Sequence, residues 1–225
     1  IYQDIKLIYE QIERCKTIIS DMGSLGKDDQ YVKIIDFFTL LFEASQPYKN
    51  FDKQIIFRLN GVSQSHEGIS IKEKMIPLVK REPELIHGIR NIVHNALKFS
   101  KSNVDINLIT NSKKINLEIT DDGEGFPNDI TSIIGEPFLK RSNFSLMEVK
   151  NRTSEEGMGL GLFIANILLE KTNGRLKFSN IKQIENDGKK RITGAKVEIS
   201  WERSSIEVLQ RDKEAKMKEN PRNVS

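Results

Sequence analysis

The sequence predicts an α+β sandwich, in which hairpin-rich β-sheet is covered by amphipathic helices. Three observations predict it. Alternating apolar runs pair around short polar turns, helical periodicities separate those runs, and 37% of the 225 residues are apolar, enough for one sizeable core.

Ile1, Ile5, Ile8, Ile12, Cys15, Ile19 and Met22 recur at steps of four and three, the a/d seam of a coiled coil or helix bundle. Gly23 and Gly26 stop that helix. One narrow stripe on a lone helix needs a partner to bury it. Residues 31–43 read as a second helix ending near Pro47, and Gln54–Leu59 reads as a strand. Residues 69–79 stay open, because Pro77 argues against a central strand. Residues 84–99 form the strongest helix, with Pro83 at its start and Leu85, Ile89, Ile92, Val93, Ala96 and Leu97 on one face. Residues 104–109 and 115–119 alternate on either side of an Asn-Ser-Lys-Lys turn and read as a hairpin. A polar stretch fills 123–157, a helix covers 160–171, and Gly174 ends it. Residues 175–178 and 195–201 read as strands, with a polar loop at 185–191.

Composition narrows the function. The net charge of +3 is small, and its basic and acidic residues are interspersed, so no nucleic-acid footprint is indicated. The single cysteine forms no internal disulfide and fits a reducing, cytoplasmic compartment. No apolar run approaches the roughly 20 residues of a membrane span, and no signal peptide opens the chain. The start at Ile1, inside a helical pattern, suggests a fragment, with any membrane anchor in segments outside it. Residues 204–225 read as a solvated tail.

Three short motifs carry chemistry. Asn91, Asn95 and Lys98 are spaced by four and three on the strong helix, which offers amide oxygens and an ammonium together. Mg²⁺ takes oxygen ligands beside substrate phosphates, so one amide suits it; a solvated polar stripe has the same spacing. Asp121-Asp-Gly123-Glu-Gly125 follows an alternating run. An ionised carboxylate accepts from an exocyclic amine such as adenine's, and glycines allow close backbone approach; an ordinary Asp-Gly turn looks alike. Gly157-Met-Gly159-Leu160-Gly161-Leu162 leads into a helix whose start favours phosphate. It lacks the Gly-Lys-Ser/Thr ending of a Walker loop and the spacing of a dinucleotide fingerprint.

In this order and spacing, the motifs resemble the GHKL ATPase superfamily, which includes histidine kinases and the gyrase, MutL and heat-shock chaperone types. Residues 91–98 and 157–162 look most like the sensor histidine kinases. Gly135-Glu-Pro-Phe138, Glu156 through Ala165, Glu13-Arg-Cys15 and the closing strand at Trp201 are similar to their redox-responsive RegB/PrrB/ActS branch. The resemblance implies a GHKL (Bergerat-type) α/β sandwich over 27–203, preceded at 1–26 by the second helix of a dimerisation hairpin. It implies ATP and Mg²⁺ as ligands. Asn95 would bind the metal with Asn91 assisting, and Lys98 and His94 would face phosphate. Asp121 would read the adenine amine, with Gly123 and Gly125 shaping its pocket. Gly157, Gly159 and Gly161, with Leu160 and Leu162, would wrap the phosphates. Phe138 would sit in a lid over 127–155 that orders around nucleotide. A response regulator and a homodimer through the hairpin are the implied partners.

The chain departs from the family in two places. Its histidines are His66, His87 and His94, and none stands in the His-Glu-x-x-Thr-Pro motif of the phosphoacceptor. His66-Glu67 begins such a pair, but no Thr-Pro follows, and His87 reads as structural. The phosphorylated histidine is therefore expected outside this chain. Gly194-Ala195 stands where the family often has Gly-Thr. Two other readings stay open: a nucleotide-dependent binding switch without phosphotransfer, and a GHKL serine kinase, against which the heptad helix argues. Cys15 is either a small buried hydrophobe of the seam or a redox switch, its thiolate favoured by Arg14 and Lys16. The switch predicts a covalent oligomer on oxidation. Non-reducing gels would then show a ladder for the wild type that is absent from Cys15→Ala; identical ladders remove the switch.

Overall fold

A computed structural model describes residues 33–49, 51–64, 76–126, 158–184, 188 and 190–208. The expected first helix with Cys15, His66, the span 127–155 with Phe138, and Gly157 lie outside the described residues.

The chain opens with strand β1 (Ile34–Asp36), helix α1 (Phe37–Ser45) and a 3₁₀ turn at Gln46–Tyr48. Strands β2 (Gln54–Leu59), β3 (Val62–Gln64) and β4 (Leu78–Lys80) follow. Then come α2 (Pro83–Phe99), β5 (Asn103–Thr110), β6 (Lys114–Asp121) and α3 (Met158–Lys171). Strands β7 (Arg175–Ile184) and β8 (Lys190–Glu202) and the single turn α4 (Arg203–Ile206) complete it. Six strands form one sheet in the order β3-β2-β5-β6-β8-β7, parallel at β2/β5 and antiparallel elsewhere.

The sheet has one apolar face because its strands alternate. Val104, Ile106 and Leu108 on β5, Ile115, Leu117 and Ile119 on β6, and Val197, Ile199 and Trp201 on β8 are all buried. Against them pack Leu85, Ile89, Ile92, Val93 and Leu97 of α2, with Ala165 and Leu169 of α3 and the aromatic rings of α1. Trp201 fixes the far end of this layer. Its ring meets Phe37 edge-on, with centroids 5.6 Å apart, and its indole N–H donates to the Thr172 hydroxyl at 3.0 Å.

Several sequence expectations are corrected. The predicted helix over 31–43 gives way to β1 at Ile34–Asp36, which pairs with β4. The Asp36 carboxylate accepts the Thr39 N–H at 2.7 Å, so the helix begins only at Phe37. Strand β3 is an addition to the expected elements, although Asn60-Gly61 is a hairpin signal; both residues take positive φ, 49° and 82°. Helix α3 starts at Met158 rather than 160, which puts Gly159 and Gly161 inside its first turns. The residue that leaves this helix in the left-handed region is Asn173, at φ 62°, while Gly174 donates its N–H to the Leu169 carbonyl at 2.8 Å. Strands β7 and β8 extend well beyond the predicted 175–178 and 195–201. Their ladder runs through a bulge, with Ile181 opposite Gly194 and Lys182 opposite Ile192.

Candidate functional site

The alternation that buries Ile115, Leu117 and Ile119 on β6 continues one step further, to Asp121. Period two therefore sends a carboxylate to the same inner face as the core residues. It enters a cleft, partly open to solvent, between α2, the end of β6 and the start of α3. Helix α2 contributes Ile92, Asn95, Ala96 and Phe99, one stripe at i, i+3, i+4 and i+7. Leu162, Phe126, Gly125, Ala195 and Val197 complete an apolar wall around two polar groups, Asn95 and Asp121.

Asp121 is held in place. Its Oδ1 accepts the N–H of Gly123 at 2.9 Å and of Ala195 at 3.2 Å. Burial pushes its carboxyl above the ordinary carboxylate range, although those two N–H groups and the Lys53 charge pull it down. Asp122 faces the other way. Its carboxylate accepts from the N–H groups of Lys101 at 2.7 Å and Ser102 at 3.0 Å, in the turn that follows α2, and of Asn103 at 3.1 Å, the first residue of β5. Burial raises its pKa, but these backbone donors outweigh that and hold it below the ordinary range. Lys53 closes the same corner, donating to the carbonyls of Leu97 and Ser100, each at 2.6 Å, at the negative end of α2.

The glycines belong to this geometry. A Cβ on Gly123 would lie 2.2 Å from the Phe99 carbonyl, and one on Gly194 would lie 1.9 Å from the Asp121 carbonyl. Gly125 takes φ 82°, a conformation that side chains disfavour.

Asn95, Asp121, Gly125 and Leu162 thus line one cleft, with Gly123 bonded to Asp121. Asn91 and His94 do not line it. The Asn91 amide donates to the His87 carbonyl at 2.9 Å, and the His94 ring lies 5.4 Å from that of Tyr48. Lys98 is exposed, its ammonium 5.2 Å from the Phe99 ring. Gly159, Leu160 and Gly161 lie in the opening turns of α3, where the first N–H groups have no partner within the helix. Sequence reasoning missed Phe126, which directly follows the glycine motif, and Lys53, whose role no local pattern signals.

The cleft suits a nucleotide with a metal. The Asn95 Nδ2 is buried without a hydrogen-bond partner among the described residues. Such an atom costs about 1–3 kcal/mol unless an acceptor satisfies it. A phosphate oxygen would do so and would leave the amide oxygen for a metal. The apolar wall suits a flat base, and the Asp121 carboxylate suits an exocyclic amine.

The family described as Histidine kinase-, DNA gyrase B-, and HSP90-like ATPase matches residues 80–204. Sensor histidine kinase RegB of Cereibacter sphaeroides is 36% identical over 200 residues, 88% of this chain and 42% of that protein. Histidine protein kinase SaeS of Staphylococcus aureus is 26% identical over 188 residues, 80% of this chain and 50% of that protein. The chain spans half or less of the length of these two relatives. Full-length ShkA, solved in complex with AMPPNP, matches with a TM-score of 0.54 at 16% identity, over 89% of this chain and 37% of that one. The mycobacterial sensor histidine kinase MprB matches with a TM-score of 0.51 at 18% identity, over 76% of this chain and 97% of that one. At these identities the two structures speak for the fold alone.

The two neighbouring carboxylates make opposite pH predictions. Asp122, with its lowered pKa, contributes stability above its unfolded value of about 3.9 that is lost as pH falls through the folded value. Asp121, with its raised pKa, favours the fold below that unfolded value and loses this contribution as pH rises through the folded one. Thermal melts at neutral pH should therefore show Asp122→Asn destabilised by about 1–2 kcal/mol, with the deficit shrinking in acid. Asp121→Asn should lose no stability at neutral pH. Equal losses in both variants would contradict the assignment.

Proposed function

This chain belongs to the Histidine kinase-, DNA gyrase B-, and HSP90-like ATPase family, and we propose that it is the ATP-binding catalytic part of a two-component sensor histidine kinase. The observation that carries this reading is the meeting of Asn95 and Asp121 in one apolar cleft. In this reading the Asp121 carboxylate accepts from the adenine amine, and the apolar wall takes the faces of the base. The start of α3, with Gly159 and Gly161, turns its N–H groups to the phosphates, and Gly157 comes just before it in the sequence. Lys98 adds an ammonium beyond Phe99. Asn95 holds Mg²⁺ through its amide oxygen. When bound, Mg²⁺ supplies positive charge against the phosphate oxygens.

The chain's own contribution is positioning and charge neutralisation, the main needs of phosphoryl transfer. The γ-phosphoryl is presented to a histidine outside this chain, whose ring nitrogen bonds to phosphorus as ADP leaves. A response regulator then receives the phosphoryl group on an aspartate. Homodimerisation through a helical hairpin and a cytoplasmic location belong to the same reading, with any membrane anchor elsewhere in the protein. No helix of the described residues is long and apolar enough to cross a membrane. Redox sensing through Cys15 is its most specific part and is supported by the likeness to RegB.

Calorimetric titration with a non-hydrolysable ATP analogue tests the site. Asn95→Ala should abolish the Mg²⁺-dependent part of the affinity. Asp121→Asn should weaken binding about 10-fold or more, the size of a hydrogen bond to a charged group. Mixing the chain with a hairpin that carries the phosphoacceptor motif and labelled ATP should label the histidine. Nucleotide binding without any labelled histidine would favour a binding switch instead.

A further inference from the structure

Asn180 lies on β7 opposite Ala195 of β8, the residue whose N–H holds Asp121. Among the described residues its side chain makes two hydrogen bonds, both to one residue. The Asn180 Oδ1 accepts the Phe126 N–H at 2.6 Å, and its Nδ2 donates to the Phe126 carbonyl at 2.9 Å. This is the exchange that a neighbouring strand would make, supplied here by a side chain at the edge of the sheet. The Phe126 ring meets Phe178, two residues before Asn180, edge-on at 5.8 Å. Gly125 completes the fit, since a Cβ there would lie 2.7 Å from the Asn180 Oδ1.

Phe126 lines the same cleft as Asp121 and Asn95. We propose that Asn180 is a positioning residue for nucleotide binding: its carboxamide clamps the Phe126 backbone and so sets the cleft wall that receives the base. The inference rests on the ATP-binding reading. The chemistry requires an amide, because a carboxamide presents one donor and one acceptor side by side. An ionised Asp in its place would still accept the Phe126 N–H but would set a second oxygen against the Phe126 carbonyl. A protonated Asp would restore the donor.

Calorimetry with ADP and with a non-hydrolysable ATP analogue tests this on the wild type, Asn180→Ala and Asn180→Asp. Asn180→Ala should lose about 10-fold in affinity for both nucleotides, because the wall it supports touches the base. Amide exchange at Phe126 should speed up in the same variant. Asn180→Asp should lose a similar factor at about pH 7, where an aspartate of ordinary pKa, about 3.9, is ionised and offers no donor to the Phe126 carbonyl. Wild-type affinity in Asn180→Ala or in Asn180→Asp, or unchanged amide exchange at Phe126, overturns the proposal alone. A wild type that binds neither nucleotide overturns the ATP-binding reading as well.

Discussion

Asp122 gathers three backbone N–H groups from the turn after α2 and the first residue of β5, and the rest of the site depends on that junction. It joins the end of β6, which carries Asp121, to the end of the helix that carries Asn95. Lys53, at the entry to β2, reinforces the junction by bonding the last carbonyls of α2. Two polar groups on different elements are thereby held at one cleft by regular structure rather than by loops. The neighbours Asp121 and Asp122 have opposite environments because Asp121 closes β6 on its inner face, whereas Asp122 starts the turn beyond the strand and bonds the backbone of 101–103. One carboxylate serves structure, and the other is left poised in an apolar wall.

Burial of Asp121 opposes its charge, and only two N–H groups and the Lys53 charge offset that. An apolar side chain at this core position would avoid that penalty. The carboxylate is kept despite it, as expected of a group used for recognition. Asn95 fits the same pattern, with a buried amide N–H that the protein itself leaves unpaired among the described residues.

Much of this is legible in the sequence. The β5/β6 hairpin follows from alternation, and the same alternation places Asp121 on the inner face. The strong helix follows from its 3.6-residue period. The Asn91-Asn95-Lys98 stripe reads as one face, but the structure divides it, because Asn91 lies one turn nearer the core and bonds its own helix. Strand β1 is hidden by apolar residues that continue into α1, and only the Asp36 cap separates the two. The outer halves of β7 and β8 are polar because they run past the core, so their alternation is weak. Lys53 and Asn180 have no local signal, since their partners lie 44 to 54 residues away in the chain.

A crystal structure with Mg²⁺ and a non-hydrolysable ATP analogue tests the central claim most directly. The account predicts the adenine amine on the Asp121 carboxylate and the Asn95 amide oxygen on the metal, within one cleft. A nucleotide bound elsewhere, or a base turned away from Asp121, would contradict it.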